Sequence, residues 1–287
     1  MSVRTVSCVL LAAFSGIFHV AGCGLATVDL YNPAWAPSPA PTSYDDRDYA
    51  TVLRENVKDG LVDYDHLKAH QEPLTRYLGQ LSVVGPAISP DLFPSRSSRL
   101  AYYINAYNAG VLKAVLHLDV PQTVHDARMK PFDHGYRIKV DGAMRTLAKL
   151  RDLARKESHG DARVEFAMCD AALGSPPLAD QPLRPDTLSR QLRQLARNAM
   201  DDRDQVRIDH EKRKLLVSVT IYLNVDAFIE HHTRQTGSRF GTMLSALLQM
   251  ADGARRAWLN TAVGYDIGMI PFDRSLNRWM RSPRAGG

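Results

Sequence analysis

Cysteine is scarce in this 287-residue chain, which contains only Cys8, Cys23 and Cys169. A scaffold built on several disulfides is therefore excluded, and the fold must be held together by its hydrophobic core. The chain is long enough to form a sizeable core, since its apolar and charged contents, 45% and 23%, are ordinary for a globular protein.

Other signatures are also missing. The formal net charge is +5, but the sequence has no run of five Lys or Arg residues and no nucleic-acid-binding motif, so we expect no nucleic-acid partner. It has no glycine-rich phosphate loop and no dinucleotide fingerprint, and we predict no cofactor. Ser175 lacks the Gly-x-Ser-x-Gly context of a nucleophilic serine.

Histidine pairs occur twice without the partners that a metal needs. His66 and His70 have the i, i+4 spacing that can hold zinc on a helix, but no third ligand or HExxH context accompanies them. We therefore predict no metal site and an exposed helical face. We interpret His231 and His232 as a helix end, where a protonated imidazole meets the helix dipole.

The first 22 residues have the pattern of a secretory signal peptide. One basic residue, Arg4, precedes an apolar run over residues 6–22, and polar sequence follows it. Residues 20–23, Val-Ala-Gly-Cys, resemble a bacterial lipobox, in which the cysteine becomes the acylated N-terminus. The alternative is ordinary signal cleavage, with Cys23 incidental.

We expect Cys23 to carry acyl chains, palmitate among them, that anchor the protein to a membrane. Gly24 stands where an aspartate commonly retains such proteins at the inner membrane, which favours the periplasmic face of the outer membrane. With Cys8 removed and Cys23 lipidated, Cys169 is the one remaining thiol. In an oxidising periplasm such a thiol is either buried or functional.

The chain divides into three parts. Residues 1–22 form the signal peptide, residues 23–46 the lipidated cysteine and a proline-rich, extended tether, and residues 47–280 one globular domain. The predicted fold class is α+β: a mostly helical single domain around a central apolar helix, with small antiparallel β-hairpins.

The elements follow from apolar periodicity, caps and turn residues. The segment 95–118 is the long central helix, because it is apolar around most of its circumference. Asp-Gly centres a hairpin over 136–147, and a charged turn centres a second over 206–219. Further helices are predicted over 47–60, 62–84 with a break at Pro73, 147–157, 184–202, 222–232, 241–250 and 253–261, and a strand over 264–273.

Four segments resemble the family called domain of unknown function 547. They are DGLVDYDHLKA (59–69), YYINAYNAGVLKAVL (102–116), ARVEFAMCDAALGSPPL (162–178) and IPFDRSLN (270–277), and they span roughly residues 47–277. The resemblance implies a bacterial protein that is secreted or lipid-anchored, but it implies no activity.

The sequence departs from that family's usual pattern near the cysteine. Glu165 stands where a histidine is usual, Ser175 where a second cysteine is usual, and Arg151 near the place of a glutamate. Each departure removes a group capable of acid-base or nucleophilic work, so we interpret this chain as a divergent or inactive member.

Some residues could still support a nucleophile at Cys169. Asn105 and Asn108 lie three apart on the central helix, where they could donate to an oxyanion or orient an imidazole. Tyr107 is a further candidate donor, and the backbone N–H groups of residues 173–175 could face an anion. Alternatively, the asparagine pair satisfies the buried backbone of a crossing loop.

Other features argue against catalysis. A thiol needs a nearby base, and the family's usual histidine is missing here, although His125 and His134 flank the loop after the central helix and could reach back in space. Glu165, four residues before Cys169, would face the thiol and raise its pKa. We therefore predict an envelope lipoprotein that binds or scaffolds without robust catalysis. The alternative is a thiol-dependent hydrolase or acyl/amide transferase that uses Cys169, Asn105, Asn108 and Tyr107.

The lipid anchor makes the first testable prediction. Cys23→Ala should abolish partitioning of the protein into the detergent phase, because the acyl chains have no other attachment point. Cys8→Ala, a control in the removed segment, should leave the partitioning unchanged. A Cys23→Ala protein that stays membrane-bound would place the anchor elsewhere.

Overall fold

The computed structural model describes residues 27–124 and 132–279. The predicted signal peptide, Cys8, Cys23 and His125 lie outside the described residues. Within them, the mostly helical α+β fold that the sequence predicts is confirmed.

The helices and strands, in chain order, have these bounds. The helices are α1 (Arg47–Asn56), α2 (Tyr64–Ala69), α3 (Glu72–Val83), α4 (Arg96–His117), α5 (Phe132–Gly135), α6 (Leu147–Ser158), α7 (Leu188–Asp201), α8 (Val219–Leu223), α9 (Val225–Thr236), α10 (Met243–Met250) and α11 (Gly253–Asn260). The strands are β1 (Val28–Asp29), β2 (Val57–Lys58), β3 (Leu61–Val62), β4 (Tyr136–Val140), β5 (Ala143–Thr146), β6 (Val206–Asp209), β7 (Lys214–Val217) and β8 (Asp266–Met269). Short 3₁₀ helices lie at Pro33–Trp35, Pro90–Leu92 and Ala162–Ala167.

The central helix α4 organises the larger of two hydrophobic cores. It begins after Ser95, whose side chain accepts a hydrogen bond from the Ser98 N–H as an N-cap. Every residue from Leu100 to Leu112 is buried, and the core that encloses them also contains residues of α1, α2, α3, α6 and β4. This confirms the predicted central helix.

A smaller second core lies under the C-terminal third of the chain. It contains apolar residues of β6, β7 and helices α8 to α11, together with Phe166 and the buried face of α7. Because Phe166 precedes Cys169 by three residues and α7 follows it, the segment that carries the cysteine runs between the two cores.

Both predicted hairpins are present, and each gains a parallel strand. β4 pairs with β5 antiparallel and with β1 parallel, while β7 pairs with β6 antiparallel and with β8 parallel. The predicted strand over 264–273 is therefore confirmed at its centre. No helix in the two described ranges combines the length and the apolar character that crossing a membrane requires.

Some predicted boundaries were wrong. The helix over 47–60 ends at Asn56, because the chain turns into the β2–β3 hairpin at Asp59 and Gly60, both with positive φ. The helix over 184–202 begins at Leu188, since Pro185 lies in the turn before it. The helix over 222–232 is two helices, α8 and α9, which meet at Asn224.

Residues 32–46 differ from the extended tether that their prolines predict. Trp35 packs against α3 so closely that a Cβ at Gly79 would lie 2.0 Å from its carbonyl oxygen. The Tyr44 hydroxyl lies 2.7 Å from that of Tyr77 in the first core. Leu30, just before this segment, is buried, and Trp35 and Tyr44 pack against the first core. Apolar burial therefore holds the segment on the domain.

Gly60 gives a stability prediction. Its φ is +80°, and an added Cβ would lie 2.2 Å from the Pro177 Cβ. Gly237 is the matched control, because its φ is similar, +68°, but an added Cβ there would meet nothing within 4 Å. Gly237→Ala should cost about 1 kcal/mol of unfolding free energy from backbone strain alone. Gly60→Ala should cost about 2–4 kcal/mol, because the clash adds to that strain. Urea unfolding measures both free energies. Equal losses of stability in the two variants would show that Pro177 moves away from the added Cβ without cost.

Candidate functional site

Cys169 lies in the interior, just after the 3₁₀ helix at residues 162–167. Its exposed fraction is 2%. Its Sγ lies 3.7 Å from the Ser175 Oγ and accepts a hydrogen bond from the Asn277 Nδ2 at 3.4 Å. Among the residues that the structure describes, the hydrogen-bond partners of this sulfur do not include a histidine.

Burial decides the protonation state of this thiol. Burial raises the pKa of Cys169 to about 11, and nearby Asp170 adds to the increase. Hydrogen bonds with the Ala171 backbone and with Ser175 lower the pKa, but they do not offset the burial. A thiol with this pKa is ionised in only about one molecule in ten thousand at neutral pH, so the reactive thiolate is rare.

Asn108 holds the backbone on both sides of Met168. Its Oδ1 accepts the Cys169 N–H at 3.0 Å, and its Nδ2 donates to the Ala167 carbonyl at 2.8 Å. The amide thus forms the two hydrogen bonds that a neighbouring strand would offer, and both ends of the side chain are occupied.

Asn105, one turn earlier on α4, does the same at Leu183. Its Oδ1 accepts the Leu183 N–H and its Nδ2 donates to the Leu183 carbonyl, both at 2.9 Å. We call the two side chains the asparagine clamps. They satisfy the buried backbone of a crossing segment, which is the structural alternative that the sequence analysis left open.

Tyr107 points to a neighbouring charged cluster rather than to the sulfur. Its hydroxyl hydrogen-bonds to the Asp170 carboxylate, and Arg151 donates to both groups. Burial opposes the charge on Arg151, but Tyr107, Asp170 and Asp133 together raise its pKa. Arg151 therefore neutralises the carboxylate next to Cys169.

The role predicted for Glu165 is wrong. Its two carboxylate oxygens accept hydrogen bonds from Arg155, each at 2.8 Å, and the same guanidinium donates to Asn224 at 3.1 Å. Arg155 of α6 thus joins Glu165 of the 3₁₀ helix to Asn224 at the start of α9. The high pKa of Cys169 results from burial and from Asp170 instead.

The histidines lie away from the sulfur or in other contacts. His134 is exposed at α5. His66 Nδ1 is 2.8 Å from the Asn56 Oδ1 and its ring stacks on His70. The described ranges contain no group of three side chains suited to hold a metal ion.

The helix end predicted at His231 and His232 is also wrong, because α9 continues to Thr236. His231 is buried, with Nδ1 at 3.6 Å from the Asp161 carboxylate. Burial lowers the pKa of His231 against the opposing effect of Asp161. His231 is therefore not the protonated imidazole at a helix terminus that the sequence predicts.

Asn277 is the contributor that sequence reasoning missed. Its Nδ2 donates to the sulfur and to the Gly60 carbonyl, and its Oδ1 accepts from the Tyr64 hydroxyl at 2.7 Å. Asn277 closes the interior around Cys169 from a position 108 residues away. The one sequence feature that pointed to Asn277 was its place in the IPFDRSLN segment, which resembles the family.

Beyond the cysteine, residues 176–183 form what we call the proline loop. The loop lines two adjoining cavities along α7, of about 540 and 800 Å³. Both cavities are bordered by Asp180, Gln181, Gln191 and Gln194, so together they form one open groove, the proline-loop groove. Cys169 lines neither cavity.

The groove walls mix apolar, amide and charged groups. Pro176, Pro177 and Leu178 lie on one side of the smaller cavity, and the amides of Gln194 and Asn198 lie on the helix opposite. The larger cavity adds charged side chains of both signs, namely Arg54, Arg184, Arg190 and Asp186.

Comparison with known proteins finds one family. The model described as protein of unknown function, DUF547, matches residues 93–198, which is narrower than the span of the motifs. The match runs from just before α4 into α7 and includes both asparagine clamps, Cys169 and the proline loop. No curated protein and no solved structure matches the chain.

The asparagine clamps give a matched pair of variants. Asn105→Ala and Asn108→Ala should each lower the unfolding free energy by about 2–5 kcal/mol, because each leaves two buried backbone groups without partners. Asn198→Ala, an exposed amide on α7, should change it by less than about 0.5 kcal/mol. Chemical denaturation measures all three. Clamp variants as stable as the wild type would show that the amides serve something other than the fold.

Proposed function

We propose that this chain, whose residues 93–198 match the DUF547 family model, is a lipid-anchored binding protein of the bacterial envelope. It takes its ligand in the proline-loop groove and performs no chemistry at Cys169. The observation that carries the proposal is the position of the sulfur: it is buried among Asn277, Ser175 and the clamped backbone, while the groove lies on the outside of the same segment.

The polar groups around the sulfur support a structural role. A catalytic thiol needs a base within reach and donors left free for the developing oxyanion. Both amides of the asparagine clamps are occupied by backbone, and Tyr107 is occupied by Asp170 and Arg151. The groups that sequence analysis offered as catalytic partners therefore hold the segment in place.

The groove walls favour an extended polypeptide as ligand. The Gln194 Nε2 donates to the Asn198 Oδ1 at 2.8 Å, which leaves the Gln194 Oε1 to accept and the Asn198 Nδ2 to donate. These are the two kinds of group that pair with the alternating N–H and C=O groups of a peptide backbone. The proline and leucine surface of the loop offers apolar contact to peptide side chains, and charges of both signs surround the larger cavity. Rigid walls lower the entropic cost of binding, and the clamps supply that rigidity.

The envelope location rests on the sequence. The lipobox-like residues 20–23 support acylation at Cys23, and Gly24 supports the periplasmic face of the outer membrane. The membrane would then be a partner through the N-terminal lipid, and the proline-loop groove would face ligands in the periplasm.

Thiol labelling separates binding from catalysis. In a full-length Cys8→Ala/Cys23→Ala protein, Cys169 is the single thiol, and an alkylating reagent should label it slowly until the protein unfolds. Its apparent pKa in the folded state should lie near 11, above the usual value of about 8.5. Rapid labelling with an apparent pKa below the usual value would overturn the proposal in favour of a thiol enzyme.

Peptide display tests the groove. A library of displayed peptides selected on the wild-type protein should yield binders that lose about tenfold or more affinity for Gln194→Arg/Asn198→Arg, whose new side chains fill the groove. Cys169→Ser, the matched interior control, should bind them as the wild type does. Selection without enrichment, or binders indifferent to the groove variant, would contradict a peptide-binding groove.

A further inference from the structure

A separate pocket lies on the other side of α7 from the proline-loop groove. It has a volume of about 360 Å³ and is walled by α7, α9, α10 and the 3₁₀ helix at residues 162–167. Its polar lining includes Arg163, Arg193, Arg197, Ser189, Gln235 and Gln249.

Positive charge predominates in this pocket. Arg193 and Arg197 are one turn apart on α7, and Arg163 comes from the 3₁₀ helix. Asp161 binds Arg163 through two hydrogen bonds of 2.9 and 2.6 Å, and Asp252 pairs with Arg197 at 2.6 Å. Arg193 has no ion-pair partner within the described ranges. Three guanidinium groups therefore meet two carboxylates.

The histidine that lines the pocket does not offset this charge. His231 contributes no negative charge, and burial lowers its pKa. Two arginines at i, i+4 on a helix repel one another and destabilise it slightly. No ion pair within the described residues explains why an arginine stands at position 193. Its charge adds to that of Arg197 beside the cavity.

We infer that this pocket binds a phosphate monoester. Guanidinium groups bind phosphate and carboxylate through paired, charge-assisted hydrogen bonds. Three arginines from two elements surround the cavity, and the three terminal oxygens of a phosphate monoester can accept from several directions at once. A carboxylate offers only two oxygens in one plane. Ser189, Gln235 and Gln249 add neutral polar groups for the rest of the molecule.

The inference does not depend on the proposed peptide groove. The pocket uses Ser189, Arg193 and Arg197 of α7, whereas the groove uses Gln191, Gln194 and Asn198. Loss of one function would leave the other measurable in the same protein.

Calorimetric titration of the full chain with glycerol 3-phosphate at fixed ionic strength tests the site. We expect saturable binding that weakens by about tenfold in Arg193→Gln and is lost in Arg193→Gln/Arg197→Gln. Arg190→Gln, an exposed arginine on the groove side of α7, is the matched control and should bind as the wild type does. Thermal unfolding checks that the variants are folded. We expect them to be, because Arg193 has no ion-pair partner among the described residues and the Arg197–Asp252 pair is largely exposed.

Two further probes assign the ligand and its source. Phosphatidylcholine vesicles that contain phosphatidic acid present the same phosphate on a lipid, and they are tested with the Cys23→Ala protein so that no acyl anchor inserts into them. Binding of these vesicles that is lost in the double variant, without binding of pure phosphatidylcholine vesicles or of glycerol 3-phosphate, would support a lipid headgroup as the source. Succinate bound as tightly as glycerol 3-phosphate would overturn the assignment to phosphate. If neither glycerol 3-phosphate nor the phosphatidic acid vesicles bind, or if Arg190→Gln weakens binding as much as Arg193→Gln does, the site is overturned.

Discussion

Two side-chain amides on one buried helix hold the segment between Ala167 and Leu183. Asn105 and Asn108 supply four hydrogen bonds to its backbone, and without them those groups would be buried and unpaired at a cost of about 1–3 kcal/mol each. The segment carries Cys169 on its inner side and the proline loop toward solvent. The asparagine clamps therefore determine both how deep the thiol lies and which surface the loop presents.

This arrangement explains why a cysteine in a polar neighbourhood stays protonated. The sulfur has hydrogen-bond donors close by, but its burial away from water raises its pKa more than those donors lower it. Arg151 is occupied with Asp170 and Tyr107. The positive charge of Arg151 lowers the pKa of the thiol by less than the neighbouring Asp170 raises it.

Local patterns predicted the elements that depend on local physics. The central helix was readable from its apolar circumference, and the β4–β5 hairpin from Asp141 and Gly142, which both adopt positive φ. The sequence also singled out the asparagine pair, but it could not identify partners 59 to 78 residues away. Asn277 and Asp170 were missed for the same reason. The tether was wrongly predicted because proline content reports backbone stiffness, whereas Trp35 and Tyr44 decide whether the segment packs on the domain.

The central claim is that the crossing segment is fixed to α4 and does not open to expose the thiol. Native-state hydrogen exchange at the Cys169 and Leu183 amides tests this most directly, because both N–H groups donate to the asparagine clamps. The account predicts that both exchange only through global unfolding, with the free energy of the whole domain. Exchange through a local opening of much lower free energy would contradict it, since such an opening would bring Cys169 to solvent in the folded protein.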